Sequence, residues 1–275
     1  MTLIILGLIF SVIVTVLFYF FVFQNAFLIL IFLGAFVLFL VLFMLTAYII
    51  SLLFKTVKTD KDGKVTKKES PKVYARFTYI FADFVKYLFR TRVKLINEDL
   101  LPKDEPFLLV CNHQSLMDPI LIMSSFKRTD IYYIMKKQIR SIPIIGRWLQ
   151  EAGYYYLDRE NNRKGLTLIL DCISDLKNGK TIGLFIEGTR SKGPNLGEFH
   201  DASLKMALKS KAKIVVLCLD NCYKIKKNYP FRKTKVFIKV CDILEYDKYK
   251  DLTTAEISES IKSIMQTNLD LIRNK

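Results

Sequence analysis

From the N-terminus to Phe54 the chain is apolar and carries no Asp, Glu, Lys, Arg or His, whereas charges appear throughout everything that follows. The apolar part divides into two runs, Leu3 to Phe23 and Ala26 to Phe54, separated by Gln24-Asn25. At 1.5 Å per residue the first run reaches about 31 Å as a helix, the thickness of a hydrocarbon core, and the second exceeds it. Two such runs around a short polar break predict a transmembrane helical hairpin over residues 1–54. A shallow hairpin confined to one leaflet is the competing geometry. A cleaved signal peptide does not fit, because no basic leader or small-residue cleavage pattern is present and a second apolar run follows at once.

Past Phe54 the pattern changes twice. Lys55 to Lys72, KTVKTDKDGKVTKKESPK, has no apolar periodicity and reads as a basic linker over residues 55–72. Residues 73–92 carry Tyr74, Phe77, Phe81, Phe84, Val85 and Leu88 at helical spacing among Arg76, Lys86, Arg90 and Arg92, which predicts an amphipathic helix that lies in the membrane interface or packs on the domain, the interface being favoured because the anchor holds it there. Beyond it strand and helix signals alternate. Phe107 to Cys111, Thr181 to Ile186, Ala212 to Leu219 and Thr234 to Val240 read as strands. Arg163 to Lys177 and Thr253 to Ile272 read as helices, the first stopped at Gly179 and the second opened by a capping box of Thr253 and Glu256. This order predicts an α/β domain over 93–275, a sheet flanked by helices.

Charge sharpens the picture. All 42 basic and 26 acidic residues lie after Phe54, so the whole net charge of +16 belongs to the water-facing part. Seven lysines against three acids in 55–72 place the linker and the domain behind it on the cytoplasmic face, since basic residues beside a membrane span stay inside. Such a surface suits an anionic membrane or an acidic protein partner. Five scattered cysteines, two histidines and no CxxC give no zinc-site pattern, and buried reduced thiols are the natural reading. No Gly-rich nucleotide loop occurs, so no cofactor is expected.

Candidate chemistry sits in polar blocks that follow the strand-like runs. The first is NHQSLMD, Asn112 to Asp118, with His113 at a strand end and Asp118 before Pro119 as the N-cap of a helix. On one continuous helix these positions would diverge by about 140°, whereas a turn between them lets the side chains meet. An imidazole held by a carboxylate has a fixed tautomer and can take a proton from a hydroxyl near neutral pH. The second block is GYYYLDR, ending at Asp158-Arg159. In the third, FIEGTRS, Gly188 permits a tight turn, Arg190 offers a planar fork to a phosphate, and Thr189 adds a neutral donor. Taken singly, each of these two is as well read as a polar loop with a salt-bridging Arg, and Asp-Pro as a simple cap.

Taken together, the blocks resemble the glycerolipid acyltransferase family, and within it the 1-acylglycerol-3-phosphate acyltransferases. NHQSLMD matches the family's His-x4-Asp motif. Lys136, Lys137, Pro143, Gly146, Gly153, Asp158 and Arg159 stand where its second block places them, and Glu187 to Arg190 match its Glu-Gly-Thr-Arg block. The resemblance covers Ile96 to Leu219 in the right order. It implies an acyltransferase fold over 93–275 and transfer of an acyl chain from a thioester, acyl-CoA or acyl-acyl carrier protein, to the sn-2 hydroxyl of lysophosphatidate, giving phosphatidic acid. His113 and Asp118 would be catalytic, and Arg159, Glu187, Gly188, Thr189, Arg190 and Lys137 would hold the acceptor and its phosphate. Ser115 is a nucleophile by residue type, but the resemblance implies direct transfer.

Two departures bear on the acceptor. Where the family has a Phe followed by two lysines and a glycine, this chain has Phe199, His200, Asp201 and Ala202, and the later Ile-Val-Pro-Val block reads Ile214 to Leu217 without its proline. Glycerol-3-phosphate or another lysolipid is therefore the rival acceptor. A non-catalytic membrane-tethered module binding anionic lipid or nucleic acid would explain the charge but not the ordered blocks, and no nucleic-acid partner is expected.

Overall fold

The computed structural model describes residues 2–53, 57–59, 65–67, 72–126, 131–158 and 160–274. It divides into two compact units, Met1–Leu53 and Phe54–Lys275. The first is a single helix, α1 (Thr2–Leu53), 52 residues long and about 78 Å by helical rise. The expected hairpin is not formed. Gln24 and Asn25 are neither Gly nor Pro, and the Asn25 amide donates to Phe21 O at 2.7 Å, so the polar pair continues the helix instead of breaking it. Ser11–Ile50 is apolar enough to cross a membrane, and most of its side chains are exposed. At more than twice the hydrocarbon thickness, the helix cannot lie wholly inside one bilayer along its normal.

The segment read as a linker carries two short antiparallel strands, β1 (Val57–Thr59) and β2 (Val65–Lys67), with Val57 opposite Lys67 and Thr59 opposite Val65. Their β-branched residues suit strand pairing, a local signal that the lysine count obscured. The predicted amphipathic helix is α2 (Lys72–Leu88). It ends before Arg92 because Arg90 takes a left-handed φ of 51° and Thr91 opens a strand. Tyr74, Thr78, Ala82 and Val85 are buried, and Tyr74 and Phe77 lie with ring centroids 4.6 and 4.7 Å from Trp148, whose indole N–H donates to Thr78 Oγ1. One face of α2 therefore packs on the domain, while Ile80 and Tyr87 remain exposed on the other.

The domain is built on β3 (Thr91–Ile96), β4 (Phe107–Cys111), β5 (Ile131–Lys136), β6 (Tyr155–Leu157), β7 (Thr181–Phe185), β8 (Lys213–Asp220) and β9 (Thr234–Leu244). They form one seven-stranded sheet in the order β3-β9-β8-β4-β7-β5-β6. Strands β8, β4, β7, β5 and β6 run parallel, and β9 with β3 runs opposite to them. The connecting helices are α3 (Asp118–Ser125), α4 (Ile145–Glu151), α5 (Asn162–Lys177), α6 (Lys205–Ser210), α7 (Ile225–Asn228), α8 (Tyr246–Tyr249) and α9 (Thr254–Arg273). Every residue of β4 is buried, as a central parallel strand covered on both faces requires. Leu108, Val110, Ile182, Leu184, Ile214 and Val216 share a core with Cys172 and Leu176 of α5 and with Ile257, Ile261, Met265 and Leu269 of α9. Thr253 and Glu256 do form the capping box that starts α9.

Central placement of β4 decides where chemistry can occur. Its C-terminal end opens beside the ends of β7 and β8, the edge at which loops from parallel strands converge.

Candidate active site

Strand β4 stops at Cys111 and the chain turns through Asn112 to Met117 before α3 begins. Asn112 extends the strand pairing with its side chain: its amide donates to Leu219 O at 2.9 Å and its carbonyl accepts from Leu219 N at 2.7 Å. His113 is thereby set just beyond the sheet, with 17% of its side chain exposed. Its Nδ1 lies 2.7 Å from Asp118 Oδ2, so the turn brings the two predicted partners together.

Asp118 is not the N-cap that the Asp-Pro pair predicted. Met117 holds that position, Asp118 is the first helical residue, and its carboxylate turns back into the loop. Oδ2 accepts from Gln114 N at 2.6 Å and Ser115 N at 2.8 Å in addition to the imidazole. The carboxylate is fully buried, and a charge without water is tolerated only with such compensation. Its Oδ1 is buried without a hydrogen bond among the described residues. Burial, and then the negative charge of Asp118, push the Cys222 thiol well up, so that it stays protonated. With Asp118 on Nδ1, Nε2 is the ring nitrogen left for a reacting hydroxyl. The imidazole stacks on Phe185 at 4.3 Å, and Phe185 stacks on Tyr133 in turn, which limits how the ring can swing.

The FIEGTRS block leaves β7 on the adjacent strand. Glu187 is buried and bridges two backbone donors: Oε1 accepts from His113 N at 2.8 Å and Oε2 from Gly197 N at 2.9 Å. Burial raises its carboxyl above the usual range, although both amides pull it back. A Cβ at Gly197 would lie 2.6 Å from Glu187 Oε2, so any larger residue there would displace the carboxylate from its place between the two amides. Gly188 takes φ 61°, the left-handed turn the sequence predicted for it. Ser191 then donates to His113 O from its N–H at 2.8 Å and from its hydroxyl at 3.2 Å. Thr189 and Arg190, between these two ties, are exposed.

The remaining predicted residues fall elsewhere. Lys137 follows β5 and pairs with Asp158 at 3.0 Å, so its charge is already matched by a neighbour. Arg159 lies outside the described residues. Asp201, where the family has lysine, accepts from Thr254 Oγ1 at 2.9 Å at the start of α9, and His200 is exposed. No cluster of His, Cys, Asp or Glu with metal-ligand geometry occurs among the described residues.

Three contributors went unread in the sequence. Gln114 accepts from Cys222 N at 3.1 Å and reaches Asp220 Oδ1 at 3.4 Å. Arg273, in the last turn of α9, donates to the same Asp220 oxygen at 2.9 Å and also to Pro194 O. Asp220 carried a usable signal, an acid ending the wholly apolar run of β8. Gln114 sat inside a motif dominated by His and Asp, and Arg273 carried none.

Comparison with known proteins bears on the same segment. The family described as acyltransferase matches residues 92–220, which contain all three polar blocks. A 1-acyl-sn-glycerol-3-phosphate acyltransferase of Helicobacter pylori is 30% identical over 163 residues, 58% of this chain and 66% of the relative. A protein of the same name from Borreliella burgdorferi is 27% identical over 182 residues, 64% of this chain and 72% of the relative. The aligned part thus spans about two thirds of these relatives' lengths. The crystal structure of the 1-acyl-sn-glycerophosphate acyltransferase PlsC from Thermotoga maritima superposes with a TM-score of 0.62 at 21% identity, covering 86% of this chain and 96% of that one, which shows the shared fold. With the family match lying on the strands and loops that assemble His113, Asp118 and Glu187, residues 92–220 carry an acyltransferase-family domain.

Proposed function

We propose that this chain is a membrane-bound enzyme that moves an acyl chain from an acyl thioester to the sn-2 hydroxyl of 1-acylglycerol-3-phosphate, giving phosphatidic acid for phospholipid synthesis. The observation that carries the reading is the 2.7 Å contact between His113 Nδ1 and a buried Asp118. Nε2 takes the hydroxyl proton as the acceptor oxygen attacks the thioester carbonyl, and Asp118 stabilises the imidazolium that results. Collapse of the tetrahedral intermediate expels the thiolate, which recovers the proton from His113. The products are the ester and a free thiol, CoA or carrier protein, with no covalent acyl-enzyme. General-base help of this kind supplies roughly 10²- to 10⁴-fold.

Arg190 and Thr189 are the groups we assign to the acceptor's phosphate, because both are exposed on the loop that Ser191 ties to His113 O. Gly188 shapes that loop, and Arg159 and Lys137 remain assigned to the acceptor by the family resemblance, Lys137 with its charge shared with Asp158. Glu187 acts at one remove, as a positioning residue, since both of its oxygens are engaged with backbone amides. A second reading, an acceptor with another headgroup, is favoured by Asp201, whose carboxylate serves α9 where the family offers lysine. The seven lysines of 55–72 further assign the catalytic unit to the cytoplasmic side of the membrane.

Four outcomes test these assignments. His113→Ala abolishes nearly all turnover in purified protein while membrane insertion persists, and Asp118→Asn falls in the same direction; near-normal activity in His113→Ala removes the proposed base. Glu187→Gln keeps one acceptor but aims an N–H₂ at a backbone N–H, which costs about 1–3 kcal/mol. Its kcat falls while KM for lysophosphatidate holds, whereas a rise in KM alone would put Glu187 on the acceptor. Arg190→Lys raises KM for lysophosphatidate well above any change in KM for the thioester, because lysine cannot form the bidentate fork. Parallel changes in both constants, or a better substrate lacking the phosphomonoester, would move the acceptor to another lysolipid. An Asp60→Cys thiol resists a membrane-impermeant maleimide in intact cells and reacts after lysis, and labelling of intact cells reverses the topology.

A further inference from the structure

The sheet edge that carries His113 also carries a second surface. Because β9 runs opposite to β8, with Asp220 beside Phe237, the start of β9 at Thr234 overhangs the end where β4 and β8 finish. It lies two strands from β4, about 10 Å across the sheet. The turn leading into it, Tyr229 to Lys233, exposes Phe231 by 87%, and Lys226, Lys227, Arg232 and Lys233 around it are also exposed. From Asn221 to Cys241 the chain contains no acidic residue.

Phe231 is held out by a rigid turn. Arg232 N donates to Asn228 O at 2.7 Å, and the Arg90 guanidinium donates to Pro230 O at 2.9 Å. The Tyr229 ring packs on Phe89 at 4.8 Å, and the Asn228 amide donates to Thr234 Oγ1 at 3.0 Å. Fixing a phenyl ring in water has no stabilising purpose within the domain, since burying it would recover roughly 1.5–3 kcal/mol. On the same edge Leu116, in the loop between His113 and Asp118, is 65% exposed.

We propose that this turn docks on an anionic bilayer surface, with Phe231 entering the acyl boundary and the surrounding cations meeting lipid phosphates. Aromatic and basic residues in this combination bind at an anionic interface by adding apolar burial to electrostatic attraction. A bilayer is favoured over a soluble acidic partner because the domain is covalently joined to a helix whose Ser11–Ile50 stretch is long and apolar enough to cross a membrane. The contact turns the edge bearing His113 toward the membrane, and it stands whichever lipid is the acceptor.

The test uses the full chain reconstituted into vesicles of phosphatidylcholine with and without phosphatidylglycerol. Phe231→Trp adds one indole to the buried Trp148, and the difference emission reports the new site alone. In anionic vesicles that emission is expected to shift blue, to be quenched by brominated acyl chains and to be shielded from iodide. Changing Lys226, Lys227, Arg232 and Lys233 to Gln returns it toward the aqueous spectrum, each charge contributing roughly fivefold to partitioning. An indole quenched by iodide and untouched by brominated lipid in both vesicle types overturns the proposal. So does protection that appears only when an acidic acyl carrier protein is added, which would assign the turn to a protein partner.

Discussion

The loop that carries His113 is built around a carboxylate placed where water cannot reach it. Asp118 is fully buried, and one of its oxygens gathers the imidazole N–H of His113 and the backbone N–H groups of Gln114 and Ser115. Those three donors come from consecutive residues, so the loop can satisfy the charge only by curling around it. The same curl turns Nδ1 of the imidazole to the carboxylate and leaves Nε2 on the far side of the ring. Removing the charge would therefore release the loop as well as the ring, because two backbone donors would lose their shared acceptor.

Three separate attachments hold that loop to the sheet. Asn112 continues the pairing of β4 with β8, and Glu187 and Ser191 fasten the His113 backbone to the loop after β7. Gln114 reaches Asp220, which receives Arg273 from α9. Two of these ties end on β8, at Leu219 and Asp220, and the third on the loop after β7. The buried hydrogen bonds are side chain to backbone for the most part, which fixes the path of the chain more tightly than side chain pairs on the surface would. Stacking of the imidazole on Phe185 then leaves the ring little freedom except along its own plane.

Periodicity carried most of the fold. The apolar runs that became β4, β7 and β8 stood within a residue or two of their final limits, and the capping box of α9 was visible as Thr253 and Glu256. Spacing also brought His113 and Asp118 into view, because a five-residue interval across a turn is a local matter. What escaped is what depends on distant parts of the chain meeting. Arg273 and Gln114 are ordinary polar residues until β8 places Asp220 between them. Lys137 and Asp158 were both legible as motif residues, but their ion pair depends on β5 lying beside β6. The hairpin was predicted from a polar pair whose hydrogen-bonding capacity an unbroken helix can satisfy.

The tie between Arg273 and Asp220 also orders events during synthesis. Synthesis reaches α1 well before α9. His113, Asp118 and Glu187 emerge next, but the salt bridge that braces Asp220 waits for Arg273. The loop that holds His113 therefore gains this brace only once α9 has been made and packed, so a chain cut short before Arg273 would keep the His113–Asp118 pair and lose the tie through Asp220.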